Sequence, residues 1–155
     1  MAALNASKTF SRRWGSESGA ELIEVALTLP LLLLVVLGII EFGFVFQQYE
    51  VVTNAAREGA RVAVLPGYLP SDAQTRVNDY LNAAGLNASL ATTNVNILAP
   101  VSVGTNCMSP VQVTVAYPHP VPFVGGIMTY FGGSSGSLTL SASSTMRIEL
   151  AAATC

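Results

Sequence analysis

Charge is scarce in this chain of 155 residues. Asp, Glu, Lys and Arg make up 10% of the sequence, whereas about a quarter is usual in a soluble globular domain. The net charge is −2, and the basic footprint of a nucleic-acid-binding protein is missing, so we expect no nucleic-acid partner. The length leaves room for one small domain and an anchor, but not for two full domains.

The side chains that usually carry catalysis are equally scarce. His119 is the only histidine, and because it lies between two prolines we expect a loop residue rather than a catalytic base. No His, Cys or acidic residues have the spacing of a metal site, and no convincing Ser-His-Asp set can be assembled. No glycine-rich segment has the phosphate-binding pattern. We therefore expect no enzyme, no cofactor and no metal.

Charge is absent altogether from the apolar residues 25–40. Continued through Glu41 to residue 46, this run reaches about 22 residues, and about 20 are needed to cross a bilayer. Pro30 should bend such a helix rather than end it. The large residues after the run do not fit a signal-peptide cleavage site, and the chain is too short to bury the run in a soluble domain. We predict one transmembrane segment at about residues 22–46.

The distribution of charge predicts the orientation of this segment. The charges before Ala20 sum to +2, and those from Ala20 onward sum to −4. Basic flanks stay in the cytoplasm. Residues 1–19 are therefore predicted to be a cytoplasmic leader, residues 66–155 a small extracytoplasmic domain, and Glu41 a carboxylate near the outer membrane edge.

Cysteine occurs twice, as Cys107 and Cys155, and both fall in the predicted outer domain, where disulfides are permitted. A disulfide between them would pin the last residue of the chain. The chain-entropy model gives roughly 4 kcal/mol for a loop of this length. Two free thiols, or a bond from Cys155 to another chain, are the alternatives.

Helical spacing continues beyond the membrane and predicts one long helix over residues 20–65, ended by Pro66-Gly67. Ala56, Gly59 and Ala60 lie on a narrow face, and small residues at this spacing let another element approach closely. That element can be the protein's own outer domain or a neighbouring subunit in an assembly.

The outer domain is predicted to be α+β. Residues 71–86 have the pattern of a short helix, with Ser71 as its N-cap and Gly85 as its stop. Partial alternation of Val, Thr, Ile and Ser predicts a small antiparallel sheet of about three strands, formed by residues 90–98, 110–117 and 137–150.

The apolar residues 118–133 interrupt these strands. Prolines 118, 120 and 122 are expected to prevent ladder pairing. The segment is too apolar for a free loop. It can dip into the membrane surface, contact a partner, or cover the domain's own core.

Four segments together resemble the TadE-like pseudopilins of the tight-adherence (Flp-type) branch of type IV pilus systems. Gly19-Ala-Glu-Leu-Ile-Glu24-Val-Ala-Leu-Thr-Leu-Pro30 resembles their processing region, and the other three segments resemble their helix and last strand. These are Gly-Ile-Ile-Glu-Phe-Gly at 38–43, Asn-Ala-Ala-Arg-Glu-Gly-Ala-Arg at 54–61 and Ser-Thr-Met-Arg-Ile-Glu at 144–149. The resemblance is strong over about residues 15–65. Val25 departs from it, because the family usually has an aromatic residue there.

The resemblance implies a pilin-like long helix that a prepilin peptidase cuts after Gly19. Ala20 would become the N-terminus, and Glu24 would be its fifth residue. A charged amine is costly in hydrocarbon unless it is paired, and a carboxylate one turn along can pair with the amine of its own or a neighbouring subunit.

The implied protein is a minor pseudopilin of the bacterial inner membrane. Its implied partners are membrane lipid, the prepilin peptidase, other pilins and pseudopilins, and the assembly platform. The alternatives are a single-pass adaptor of the same apparatus that is neither cut nor polymerised, and a membrane-tethered protein that binds a small ligand.

Overall fold

A computed structural model of the chain describes residues 17–103, 106–133 and 136–148. Within these ranges the structure is α+β, which confirms the predicted fold class. The helices are α1 (Glu17–Ala63), α2 (Pro70–Ala83) and α3 (Pro122–Tyr130), with a short 3-10 turn at Ala88–Leu90. The strands are β1 (Thr92–Ile97), β2 (Val101–Val103), β3 (Asn106–Met108), β4 (Pro110–Pro120) and β5 (Ser137–Arg147).

The chain divides into two compact units, Met1–Ile39 and Ile40–Cys155. The described part of the first unit is the beginning of α1, which continues through Pro30 without ending. The second unit contains the rest of α1 and all the other elements. Most of the predicted leader, residues 1–16, lies outside the described residues.

The turns that follow α1 and α2 each contain a glycine. Helix α1 ends at Ala63, two residues earlier than predicted, and Gly67 follows with a φ of 82°. Gly85 follows α2 with a φ of 81°. Residues other than glycine rarely adopt this left-handed backbone conformation. The helix stops predicted at these two positions therefore coincide with the observed turns.

The N-cap of α2 is Leu69, two residues before the predicted Ser71. The helix begins at Pro70, and the carboxylate of Asp72 accepts a hydrogen bond of 2.7 Å from the backbone N–H of Leu69. Proline suits the first helical turn because its missing N–H would be unpaired there. Ser71 is therefore inside the first turn and is not the N-cap.

The main sheet has three antiparallel strands in the order β1-β4-β5. Central strand β4 buries alternate residues, and Val113 pairs with Val95 on one side and Ser144 on the other. The sequence prediction missed a second sheet, the small hairpin of β2 and β3. Its strands of three residues each are too short for alternation to be recognised.

The expectation that the prolines end strand pairing at residue 118 is wrong. Strand β4 continues to Pro120, with Pro118 opposite Thr139 and Pro120 opposite Ser137 on β5. Pairing with β1 stops at Ala116, so this end of β4 has a neighbour on one side only. Proline is tolerated on such an edge, because the N–H that it lacks is not needed where no strand accepts it.

The core of the second unit forms where α1, α2 and β4 meet. Ala55, Ala56 and Ala60 of α1 are completely buried, as are Val77 and Leu81 of α2. A Cβ atom built on Gly59 would lie 2.5 Å from Cγ2 of Val77 and 3.3 Å from Cγ1 of Val113. The small-residue face of α1 is thus occupied by the protein's own domain.

An exposed ion pair network flanks this core. Glu58 lies 3.4 Å from Arg61 on the same helix and 3.2 Å from Arg76 on α2. Both arginines are substantially exposed, so the pairs contribute little to stability. Close packing, rather than charge, holds α2 against α1.

Replacing Gly59 with alanine tests this packing. The new methyl group would overlap Val77, so we expect Gly59→Ala to lower the free energy of unfolding by about 1–3 kcal/mol. Gly38→Ala is the matched control, because a Cβ there meets nothing within 4 Å. Urea unfolding of the detergent-solubilised chain measures both. The double variant Gly59→Ala/Val77→Ala should lose less stability than the two single changes added together; strict additivity would contradict the proposed overlap.

Candidate functional site

The first part of α1 is exposed along its apolar surface. An 18-residue window of this helix has a mean hydropathy of 2.7 and none of it is buried. Helix α1 is thus long and apolar enough, over Gly19–Ala63, to cross a membrane. The exposed side chains include Leu22, Ile23, Leu27, Leu31, Leu32 and Ile39.

The residues predicted for processing lie at the start of this helix. Gly19, Ala20 and Glu24 are all exposed on α1. A Cβ on Gly19 would meet nothing within 4 Å. Ala20 and Glu24 are four residues apart and therefore on the same face of the helix. The Thr28 hydroxyl donates a hydrogen bond of 2.8 Å to the backbone carbonyl of Glu24, which leaves the Glu24 carboxylate uninvolved in that bond.

Glu41 has a role that the sequence did not reveal. Its side chain is only 4% exposed, and its two carboxylate oxygens accept hydrogen bonds from the first turn of α3. The backbone N–H of Phe123 donates to Oε1 at 3.0 Å, and that of Val124 donates to Oε2 at 2.8 Å. Helix N-termini carry unpaired N–H groups and a partial positive charge, so a carboxylate is stabilised there.

A second polar contact joins α1 to the end of β4. Nδ1 of His119 lies 2.6 Å from Oε1 of Gln48, a hydrogen bond in which the imidazole N–H donates in the tautomer protonated at Nδ1. His119 is only 6% exposed. The expectation of a loop histidine is wrong, because β4 runs through it and turns its side chain inward.

Glu41 and Gln48 are seven residues apart on α1 and hold the same neighbouring segment. Seven residues are nearly two helical turns, which puts both side chains on one face. A cavity of about 320 Å³ lies between the contacts, lined by these two residues, His119, Phe44, Leu86 and Phe123, among others. The side chains of Glu41, Gln48 and His119 in its lining are hydrogen-bonded to one another or to backbone, so they join α1 to β4 and α3.

The segment 118–133 is mostly regular structure, not an interrupting loop. Its first three residues finish β4, and Pro122–Tyr130 form α3. Proline at the first helical position is a start signal, and this signal could have been recognised from Pro122. The partner Glu41 could not, because it is 82 residues away in the sequence.

The predicted disulfide is only half within the described residues. Cys107, in β3, is disulfide-bonded. Cys155 lies outside the residues that the structure describes, and the pairing of Cys107 with Cys155 stays a prediction. Over the described ranges, no group of three or more His, Cys, Asp or Glu residues could hold a metal ion.

Comparison with protein families gives one finding. The family model of TadE-like proteins matches residues 19–61. The match lies within α1, and it contains Gly19, Ala20, Glu24, Glu41 and the small-residue face, which confirms the resemblance carried by these residues. The comparisons with curated proteins and with solved structures gave no match.

Removing the Glu41 carboxylate tests its contact with α3. Glu41→Ala leaves two N–H groups of α3 without their partner, and we expect a loss of about 1–3 kcal/mol of stability. The local result should be faster hydrogen exchange at the Phe123 and Val124 amides. Glu50→Ala, an exposed glutamate on the same helix, is the control. Equal exchange protection in the Glu41 variant and the parent would show that the carboxylate does not cap α3.

Proposed function

We propose that this TadE-like chain is a minor pseudopilin, a membrane-anchored subunit that helps to assemble a tight-adherence pilus or secretion apparatus. One observation carries the proposal: the family match begins at Gly19, the residue after which the resemblance places the cut. An apolar stretch of α1 follows directly, and none of it is buried. This exposure is expected of a pseudopilin, because its helix contacts lipid first and other subunits later.

The proposed orientation has the N-terminus in the cytoplasm and the second unit on the periplasmic or extracellular side. The charges before Ala20 sum to +2 and those from Ala20 onward sum to −4, and a basic flank is the signal that the positive-inside rule associates with the cytoplasmic side. The exposed apolar side chains of this part of α1 make no hydrogen bonds with water, and its backbone groups are paired within the helix. A lipid bilayer is therefore the environment in which this part of α1 is stable.

The proposed processing step gives Glu24 its role. Cleavage after Gly19 would leave a positive amine on Ala20 at the head of an apolar helix. Such a charge is strongly disfavoured in hydrocarbon without a partner. The exposed carboxylate of Glu24, on the same helix face, could neutralise the amine of its own chain or that of a neighbour. The second arrangement would set the axial offset between two packed helices.

Contacts between subunits would use the first part of α1. Ala56, Gly59 and Ala60 are buried against α2 and β4, so their face has no surface left for another helix. The exposed residues before Ile40 are available. We therefore assign lateral packing, in the membrane or in a pilus, to that stretch. The proposed contact with the assembly platform is assigned to the same stretch.

The processing step can be tested by changing Gly19. Gly19→Val should abolish cleavage, because the peptidase would meet a branched side chain, while the open space at this position leaves folding intact. Gly38→Val, another α1 glycine with open space around it, is the control. N-terminal sequencing of the protein from cells with and without the prepilin peptidase gives the readout.

We expect Ala20 as the N-terminus only when the peptidase is present and Gly19 is unchanged. Persistence of Met1 in every background would replace the pseudopilin with the alternative, a single-pass adaptor of the same apparatus that is neither cut nor polymerised.

The pairing role of Glu24 is a separate prediction. Glu24→Gln removes the charge with almost no change in size, and we expect processing to continue but pilus assembly to be lost. Glu21→Gln is the matched control, an exposed glutamate one turn earlier on the same helix. Surface pili counted by electron microscopy are the measurement. If both variants assemble pili as the parent does, charge pairing by Glu24 is not required.

A further inference from the structure

We infer that α3 and the adjoining Phe131 form a second membrane contact, lying in the interface of the outer leaflet beside the point where α1 leaves the bilayer. This inference rests on the proposed membrane span of α1, but it concerns a different element. The occupant of the exposed apolar surface of α3 is therefore a lipid surface, rather than the protein's own core or another chain.

The exposure of α3 is the first observation. Among its residues with described side chains, only Gly125 is buried. Phe123, Val124 and Ile127 are partly exposed, and Tyr130 and Phe131 are 88% and 80% exposed. A cover over the domain core would bury these aromatic rings. Contiguous apolar surface of this kind marks a contact with a membrane or a partner.

The position of α3 is the second observation. Its first turn is bound to Glu41, and Glu41 is the residue directly after the uncharged run 25–40. When the run spans the bilayer, the group that caps α3 lies at the level where the run ends. Elements attached at that level meet the lipid interface.

The same unit exposes aromatic side chains on α1 beside Glu41. Phe42, Phe44 and Phe46 are all exposed, and Phe42 and Phe46 stack edge to face with ring centroids 5.1 Å apart. Exposed aromatic side chains thus occur both on α1, next to Glu41 in the sequence, and on α3, which Glu41 caps. Aromatic side chains are favoured at the boundary between hydrocarbon and water.

The charge pattern distinguishes a lipid surface from an aqueous one. Residues 80–146 contain no Asp, Glu, Lys or Arg, so no acidic or basic side chain of this segment has to be desolvated when it approaches lipid. Glu41, the nearby acid, already has two N–H partners. Attraction to anionic lipids cannot be the driving force without basic residues, and burial of apolar surface remains.

Tryptophan probes in the full chain test the inference. The single native tryptophan, Trp14, is first replaced by phenylalanine. Phe131→Trp then reports on α3, Leu33→Trp on the proposed span, and Ser143→Trp on the exposed face of β5. Each variant is reconstituted into phosphatidylcholine vesicles, with and without phosphatidylglycerol. Quenching is measured with lipids brominated at shallow or deep acyl positions, and with iodide in the water.

We expect the Phe131→Trp probe to be blue-shifted and quenched most by the shallow bromines, equally in both vesicle types. The Leu33→Trp probe should be quenched most by the deep bromines, and the Ser143→Trp probe by iodide alone. Adding Glu41→Ala to the Phe131→Trp chain should reduce the shallow quenching, since α3 loses its attachment.

Two results would overturn the inference and leave the span intact. In one, the Phe131→Trp probe is quenched by iodide as strongly as the Ser143→Trp probe. In the other, it is blue-shifted but inaccessible to both iodide and bromine, which would mean that protein covers it. If the Leu33→Trp probe is also insensitive to brominated lipid, the proposed membrane span fails as well, and this outcome separates the two proposals.

Discussion

The close approach of α1, α2 and β4 at Gly59 positions the rest of the second unit. The residue has no side chain, and a single Cβ there would already overlap Val77. Because interiors are packed to the density of organic crystals, the neighbours of Gly59 would have to shift to admit a side chain. Helix α1 therefore has two different parts. Its second part packs in the core of the second unit, and the side chains of its first part stay exposed.

Glu41 lies at the transition between these two parts of α1. A buried carboxylate without partners would be strongly destabilising. Here the partners are backbone N–H groups, which carry only partial charge and stay donors in any environment. A side-chain cation would have achieved the same pairing at the expense of a second charge to desolvate. A capping carboxylate therefore fixes α3 to α1 with only one charge to desolvate.

Gln48 complements Glu41 with a neutral contact. Gln48 is hydrogen-bonded to His119, near the end of β4. Glu41 is hydrogen-bonded to α3, which begins two residues after β4 ends. The chain from β4 into α3 is thus held at two points nearly two helical turns apart on α1. A single contact would leave α3 free to swing about its N-terminus, whereas two contacts restrict the direction in which it leaves the sheet.

Much of the fold was predictable from the sequence, because local patterns determine it. The uncharged run 25–40, the glycines at 67 and 85, and the alternating valines of β4 all act within a few residues of themselves. The continuation of β4 through Pro118 and Pro120 was not predictable in this way. It depends on where β1 stops pairing, and that is a property of the assembled sheet.

The same distinction between local patterns and long-range contacts applies to the candidate site. Gly19, Ala20 and Glu24 were recognised because their spacing along one helix is itself the signal, and the family match covers that segment. The contact of Glu41 with α3 could not be recognised, because its two halves are far apart in sequence and backbone N–H groups have no sequence signature.

The burial of the small-residue face also limits how such a chain could join an assembly. Two ways of packing α1 were open from the sequence: against the protein's own domain, or against neighbouring subunits. In the structure Ala56, Gly59 and Ala60 are covered by α2 and β4, so contact through them would require the domain to detach. Assembly through the exposed first part requires no such rearrangement. A chain built this way can keep its second unit folded while the surroundings of the first part of α1 change. The change of environment then acts on a surface that is apolar beyond Glu24 except for Thr28, because Glu41 is buried against α3.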